Sequence, residues 1–102
     1  MPYQELARLN KLIHEPARLS ILTALLACNL AEFLFLQELT GLTKGNLSCH
    51  LSKLEQGNLV RIEKSFLRKK IPQTTIYLTP EGRAAIEGYW EKFDAIRKAI
   101  KK

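Results

Sequence analysis

Small, polar and cationic side chains recur on one side of residues 41–60, which read GLTKGNLSCHLSKLEQGNLV. Leu47, Leu51 and Leu54 are spaced to form the buried stripe of a helix, which leaves the opposite face for chemistry. Small residues permit close approach, and amide, hydroxyl, imidazole and ammonium groups pair with base edges and phosphates of DNA. We therefore predict a DNA-reading helix. Its outer face offers Gly45, Asn46, Cys49, Ser52, Lys53 and Gln56, with Ser48 and His50 on the flanks.

The alternative for this segment is an ordinary solvated surface helix. Such a helix usually mixes Glu with Lys so that opposite charges stabilise each other. Glu55 is the only acid between Lys44 and Gln56, so the composition favours contact with an anionic partner.

Capping residues mark the boundaries of the helix. Thr43 is a good N-cap, Leu42 is placed to pack on Leu47, and Gly57 is placed to end the helix in the left-handed conformation. An apolar stretch at 36–39 and a Gly-containing turn precede Thr43. Residues 36–56 therefore predict a helix-turn-helix.

Two strands joined by a basic tip are predicted after this unit. Residues 59–66 alternate in polarity, and residues 74–78 are rich in β-branched and aromatic side chains. The connection, LRKKIP, carries Arg68, Lys69 and Lys70 in succession. We predict that residues 59–79 form a β-wing that contacts DNA, whereas the alternative is that Lys and Pro only protect a strand edge.

The run GLTKGNLSCHLSKLEQGNLV, followed by RIEKSF and PQTTIYLTPEG, resembles short single-domain winged helix-turn-helix regulators of the ArsR/MarR superfamily. The resemblance implies a mainly α fold with a small β-wing, a short strand at residues 33–35, and a dimeric transcriptional regulator. It places Lys44, Asn46, Ser48, Cys49 and His50 at the DNA interface and the three cations at the wing tip. Gln73 departs from the Arg that relatives often carry directly after the wing Pro. The predicted DNA-binding set is Thr43, Lys44, Gly45, Asn46, Ser48, Cys49, His50, Lys53, Arg68, Lys69 and Lys70.

Two terminal helices are predicted to form a homodimer. One covers residues 1–14, and the other covers residues 80–102 and begins with the Thr79 N-cap and Pro80. In the second helix apolar residues recur at spacings of three and four, which is a heptad pattern. Packing within one chain is the alternative, but the winged-helix unit already has a complete core. The predicted interface is Leu6, Leu9, Ile13, Ile86, Tyr89, Phe93, Ile96 and Ile100.

Length and charge fit one small domain, residues 1–102, with an anionic partner. Of the 102 residues 46% are hydrophobic, and the formal net charge is +6. The N-terminus lacks a signal-peptide pattern, and polar residues interrupt the apolar stretch at 21–39, so no membrane span is expected. Two cysteines in such a chain fit reduced thiols in the cytoplasm.

Catalysis and metal binding find little support in the residue types. Asp94 is the only Asp, His14 and His50 are the only histidines, and no Gly-rich phosphate loop is present. No Cys-x-Cys pair precedes the turn and the last helix lacks His, so no metal or other cofactor is predicted. Cys28 is predicted to be buried, and Cys49 to be exposed as an incidental small residue, with a redox switch as the alternative.

These observations together predict a non-enzymatic, sequence-specific DNA-binding homodimer. We predict a transcriptional repressor that binds a pseudo-palindromic double-stranded operator, while the sequence does not tell whether a small-molecule effector regulates it. The alternative is a winged-helix protein-interaction module in which the apolar seam is the binding surface and the cations serve solvation.

Overall fold

The computed structural model describes residues 2–101 and contains five helices and a three-stranded sheet. Their order along the described chain is α1 (Pro2–Ala7), α2 (Pro16–Cys28), β1 (Leu30–Glu32), α3 (Phe33–Thr40), α4 (Lys44–Gln56), β2 (Val60–Leu67), β3 (Ile71–Leu78) and α5 (Pro80–Ile100). This is a mainly α winged helix, with α3 and α4 as the helix-turn-helix and β2 and β3 as the wing. The predicted fold class is confirmed.

The sheet is antiparallel, and β3 lies between β1 and β2. Ile62 pairs with Ile76, and these two residues belong to the face of the sheet that packs on the helices. Successive side chains of a strand point to opposite faces of the sheet, so residues two positions further along each strand lie on the same face as Ile62 and Ile76. The base of the wing is therefore held in the core, while its tip extends away from it.

One apolar core joins the helices to the base of the sheet. Apolar residues of α2, α3 and α4 meet Ile76 of β3 and Ile86 of α5, and no side chain of this cluster is polar or charged. The completely buried members include Ile21, Leu25 and Leu36. The buried side of α4 therefore packs on a continuous apolar interior.

The start of α5 fits tightly against the connection between α4 and β2. Thr79 caps α5 by accepting a hydrogen bond from the Gly82 N–H at 2.8 Å, and Pro80 takes the first helical position as predicted. The Thr79 hydroxyl proton is shared between the carbonyls of Asn58, at 2.7 Å, and Leu59, at 3.0 Å. A Cβ at Gly82 would meet the Leu59 backbone, so glycine permits this close approach.

Two predicted elements are wrong in position. The N-terminal helix ends at Ala7, well before residue 14, because the Asn10 side chain accepts a hydrogen bond from the Leu12 N–H and supports a local turn instead. The short strand is Leu30–Glu32, and residues 33–35 already belong to α3. Pairing with β3 determines this register, and starting α3 at residue 33 buries Leu36.

Gly57 does not adopt the predicted left-handed conformation. Its φ is −85°, and the left-handed residue is the next one, Asn58, with a φ of 61°. A Cβ at Gly57 would lie 2.5 Å from Cδ2 of Leu12. Glycine there avoids a contact for which the end of the Leu12 side chain would have to shift, and no local helix-capping rule would detect this contact.

Candidate nucleic-acid interface

The outer face of α4 is built by its cap and its buried stripe. Thr43 accepts a hydrogen bond from the Asn46 N–H at 3.1 Å, which starts the helix without an acidic residue in its first turn. Leu47, Leu51 and Leu54 are buried, as predicted. The exposed residues include Thr43, Lys44, Gly45, Asn46, Ser48, Cys49, Ser52 and Lys53. Donors, acceptors and two ammonium groups therefore lie together on one accessible surface.

His50 faces the protein instead of this surface. Its Nδ1 lies 3.2 Å from Nη1 of Arg18 and its Nε2 lies 3.8 Å from a carboxylate oxygen of Glu15, with 18% of the side chain exposed. Glu15 is itself the N-cap of α2 and accepts the Arg18 N–H at 2.8 Å. His50 therefore ties α4 to the start of α2, and it leaves the predicted DNA-facing set.

The charge of Glu15 is favoured in this arrangement. Burial raises the pKa of Glu15, but the hydrogen bond from the Arg18 N–H and the electrostatic interactions with His50 and Arg18 outweigh it, so the pKa falls below its usual 4.5. An ionised Glu15 thus supports the packing of α4 on α2 at neutral pH.

A groove of about 910 Å³ separates α4 from the wing. Its α4 wall includes Lys44, Gly45, Ser48 and Ser52, and its sheet wall includes Ile62, Lys64 and Thr74. Lys44 and Lys64 thus line opposite walls of one concave surface. Within residues 2–101, neither of them nor Lys53 forms an ion pair, so these ammonium groups are available to an anionic ligand.

The wing tip is a tight turn made of cations. The Lys70 N–H donates to the Leu67 carbonyl at 3.1 Å, and Arg68 and Lys69 have positive φ of 54° and 62°. This is the pattern of a type I′ turn, whose two central positions favour Asn or Gly. Here Arg and Lys occupy them, and the three tip cations are exposed. Phe66, Leu67 and Ile71 beside the turn are also exposed, which the sequence reasoning missed because it treated the tip only as a charge cluster.

Most of the predicted dimer residues pack inside the chain. A side chain with almost no accessible surface in one copy of the chain cannot contact a second copy. Five of the predicted interface residues therefore belong to the core of the monomer. They are Leu9, Ile13, Ile86, Tyr89 and Ile96. Leu6 and Phe93 are half-buried against this core, and Ile100 is exposed. The heptad pattern of α5 therefore serves intramolecular packing first.

A second apolar stripe of α5 faces outward. Trp90 and Ile100 are exposed, and Phe93 lies between them at helical spacing. Phe93 stacks on Tyr89 with ring centroids 6.1 Å apart, and Trp90 meets both rings edge to face. Tyr89 in turn hydrogen-bonds Nδ1 of His14 at 2.8 Å. This outward stripe is the part of the predicted seam that remains accessible.

The two cysteines are both exposed and lie on different helices. Cys49 is exposed on α4, as predicted, but Cys28 is also exposed and donates to the Ala24 carbonyl at 3.3 Å, so its predicted burial is wrong. It lies in the last turn of α2, beyond the buried stripe that ends at Leu25.

Two further structural findings concern residues 2–101. No helix in this range has the length and apolar character that crossing a membrane requires. In the same range, no three His, Cys, Asp or Glu side chains come together as a metal site would need.

Comparisons with known proteins agree with this architecture. Residues 17–97 match the winged helix DNA-binding domain family. An uncharacterized protein of Methanocaldococcus jannaschii is 37% identical over 79 residues, which cover 78% of this chain and 85% of the relative. A transcriptional regulator homologue from Pyrococcus horikoshii superposes with a TM-score of 0.87 at 28% identity, covering 97% of this chain and 99% of that one. A MarR-family regulator from Silicibacter pomeroyi shares the fold, with a TM-score of 0.67 at 22% identity over 97% of this chain and 65% of that one.

Proposed function

The chain belongs to the winged helix DNA-binding domain family, and from that premise we propose that it is a homodimeric, sequence-specific repressor of transcription. The family match and the similarity to the transcriptional regulator homologue from Pyrococcus horikoshii support a winged-helix DNA-binding regulator. The proposed function also implies a non-catalytic protein that acts in the cytoplasm, where it has access to the chromosome.

One observation carries the DNA-binding part: two cations without an ion-pair partner among residues 2–101, one on α4 and one on the wing, line a single concave surface. Lys44 and Lys64 stand on its two walls, and the exposed Asn46 and Ser48 lie beside them on the first turns of α4. Ammonium groups neutralise phosphates, while amide and hydroxyl groups pair with base edges. The surface therefore combines orientation on the backbone with readout of sequence.

The proposed dimer uses the outward stripe of α5. Over the described residues the chain measures 57 by 25 by 21 Å, and α5, with 21 residues, is about 31 Å long. Its exposed Trp90 and Ile100 leave apolar surface that a second copy would cover, and the exposed Tyr3 of α1 adds to it because α1 packs on α5. A two-fold dimer would then present two α4 helices to one side of the duplex, with half-sites about 10 base pairs apart.

Selection of bound sequences from random duplex DNA tests the proposal. We expect a pseudo-palindromic site, and we expect log affinity to fall against log salt with a slope near −7 if each subunit neutralises about four phosphates. A slope close to zero, or recovery of no preferred sequence, would contradict sequence-specific binding. Transcription from a promoter that carries the selected site, with and without the protein, distinguishes repression from activation.

The competing function is a protein-interaction module, and one observation favours it. Leu34, Phe35 and Leu39 of α3 are 63%, 50% and 55% exposed, so an apolar patch lies next to the turn of the helix-turn-helix. Protein-binding surfaces commonly contain such patches. Replacement of Leu34 and Leu39 by Ser separates the two functions, because it removes the patch and leaves the outer face of α4 intact. Unchanged binding to the selected duplex would favour the DNA function.

A further inference from the structure

The wing tip presents apolar side chains that the rest of residues 2–101 leaves exposed. Phe66, Leu67 and Ile71 are 67%, 49% and 56% exposed and flank the three cations of the turn. An exposed apolar strand pair invites association with other chains, so proteins usually avoid it. A turn whose Arg68 and Lys69 both hold positive φ is likewise disfavoured for ordinary residues. The tip therefore combines exposed apolar side chains with an unfavourable turn conformation, and contact with a ligand would explain both features.

The pairing of the strands determines which of these side chains faces the groove. Lys64 pairs with Thr74 and Phe66 pairs with Pro72, and directly opposite residues share a face of the sheet. Lys64 and Thr74 line the groove beside α4, so Phe66 and Pro72 continue that same face toward the tip. Leu67 pairs with Ile71 on the other face. Phe66 is therefore the exposed aromatic side chain on the side that would meet DNA.

The reach of the wing fits the neighbouring minor groove. Strands rise about 3.3 Å per residue, so the turn at Arg68 lies about 13 Å beyond Lys64. One turn of duplex is about 34 Å, so the centres of a major groove and the adjacent minor groove are about 17 Å apart along the axis. With Lys64 beside a major groove occupied by α4, Phe66 lies about 7 Å along the strand toward the minor groove, so its side chain extends to the near edge of that groove while the tip cations lie closer to its centre.

We propose that Phe66, supported by Pro72, acts as an apolar wedge that enters the minor groove and partly unstacks one base step, so that the bound duplex is bent. This inference rests on the proposed DNA-binding function and deepens it. Apolar wedges of this kind bend DNA in minor-groove binding proteins, and cations beside the wedge neutralise the flanking phosphates. Pyrimidine–purine steps unstack most easily, so such a step beneath each wing gives sequence preference without a hydrogen bond to a base.

Bending of the selected duplex is the measurement that tests the wedge. The duplex carries a donor and an acceptor dye at its ends and 2-aminopurine at the step beneath the wing. The parent protein is expected to shorten the end-to-end distance and to raise the 2-aminopurine fluorescence. Phe66→Ser is expected to lose both signals and about tenfold in affinity, with the salt slope unchanged because no cation is removed. Leu67→Ser is the matched control on the opposite face and is expected to behave as the parent.

Three outcomes would overturn the wedge. Bending that survives Phe66→Ser, or equal loss in Leu67→Ser, removes the role of Phe66, and so does a parent complex in which the bound duplex stays straight. In each of these cases the proposed DNA-binding function stands, because the duplex is still bound specifically. Absence of specific binding by the parent overturns both proposals. Vesicles of phosphatidylserine provide the remaining arm: Phe66-dependent binding to vesicles with an unbent duplex would assign the tip to a lipid surface.

Discussion

Removal of two charges from the wing tip should change the salt dependence of DNA binding more than the binding preference. The perturbation is Lys69→Gln together with Lys70→Gln, which keeps most of each side-chain length. Both lysines are exposed, and within residues 2–101 neither forms an ion pair, so the folded state loses no charge contact. The expected effect is therefore confined to the complex with DNA.

The magnitude follows from the number of phosphates that the pair neutralises. A homodimer carries four of these lysines, and each phosphate contact contributes about −0.9 to the slope of log affinity against log salt. The slope should therefore flatten from about −7 to between about −3 and −4. Between 50 and 200 mM salt, the advantage of the parent over the variant should shrink by about a hundredfold.

The assay is fluorescence anisotropy on the selected duplex and on a scrambled duplex, each at five or more salt concentrations. A matched control removes the same charge from α5 and the residue after it, by Lys92→Gln and Lys101→Gln, because both of those lysines are exposed and lie outside the groove and the wing. The control should keep the parental slope. Equal slopes for the tip variant and the parent, or equal flattening in the control, would refute the assignment of phosphate contacts to the wing.

Three other substitutions test the recognition helix, its support and the dimer. Asn46→Ala should lose base preference at one position of each half-site and cost about 1–3 kcal/mol on the selected duplex, with unchanged binding to scrambled DNA, as measured by competition. Glu15 has a folded pKa below 4.5, so its stabilising effect is complete above pH 4.5 and is lost as the pH falls through the folded pKa. In denaturation experiments at a series of pH values, Glu15→Gln should therefore lose less stability than the parent on acidification. Equal losses in the two proteins would contradict this. Ile100→Asp places a charge in the outward stripe of α5 and away from the core, so sedimentation should show weaker dimers with unchanged circular dichroism, whereas a parent that is monomeric at tens of micromolar would remove the basis of the dimer.

Local signals were sufficient for the helix-turn-helix and for β2 of the wing, whereas β3 begins at Ile71, three residues before the predicted start at residue 74. Thr43 and Thr79 cap α4 and α5 through side-chain bonds to nearby N–H groups, which a short sequence pattern can specify. Leu47, Leu51 and Leu54 point inward because a helix with one apolar stripe has a single way to bury it. The alternation of polar and apolar residues similarly identified β2, because it indicates which side chains of a strand point to each face of the sheet.

Tertiary contacts decided what local patterns could not. The heptad positions Ile86, Tyr89 and Ile96 are equally compatible with a partner helix and with the chain's own core, and the structure places them in the core. His50 has the chemistry of a DNA contact, but Glu15 and Arg18 lie 35 and 32 residues earlier in the chain and attract it inward. No spacing rule connects residues that far apart, so this pairing was beyond sequence reasoning.

The joint at Thr79 determines the direction in which α5 leaves the winged-helix unit. Its hydroxyl and the close fit of Gly82 on Leu59 hold the start of α5 against residues 58–59, which connect α4 to β2. Because α5 is about 31 Å long, a tilt of roughly 10° at this joint would displace the far end of α5 by about 5 Å. In the proposed dimer, a rigid joint would make the relative position of the two α5 helices determine the distance between the two α4 helices.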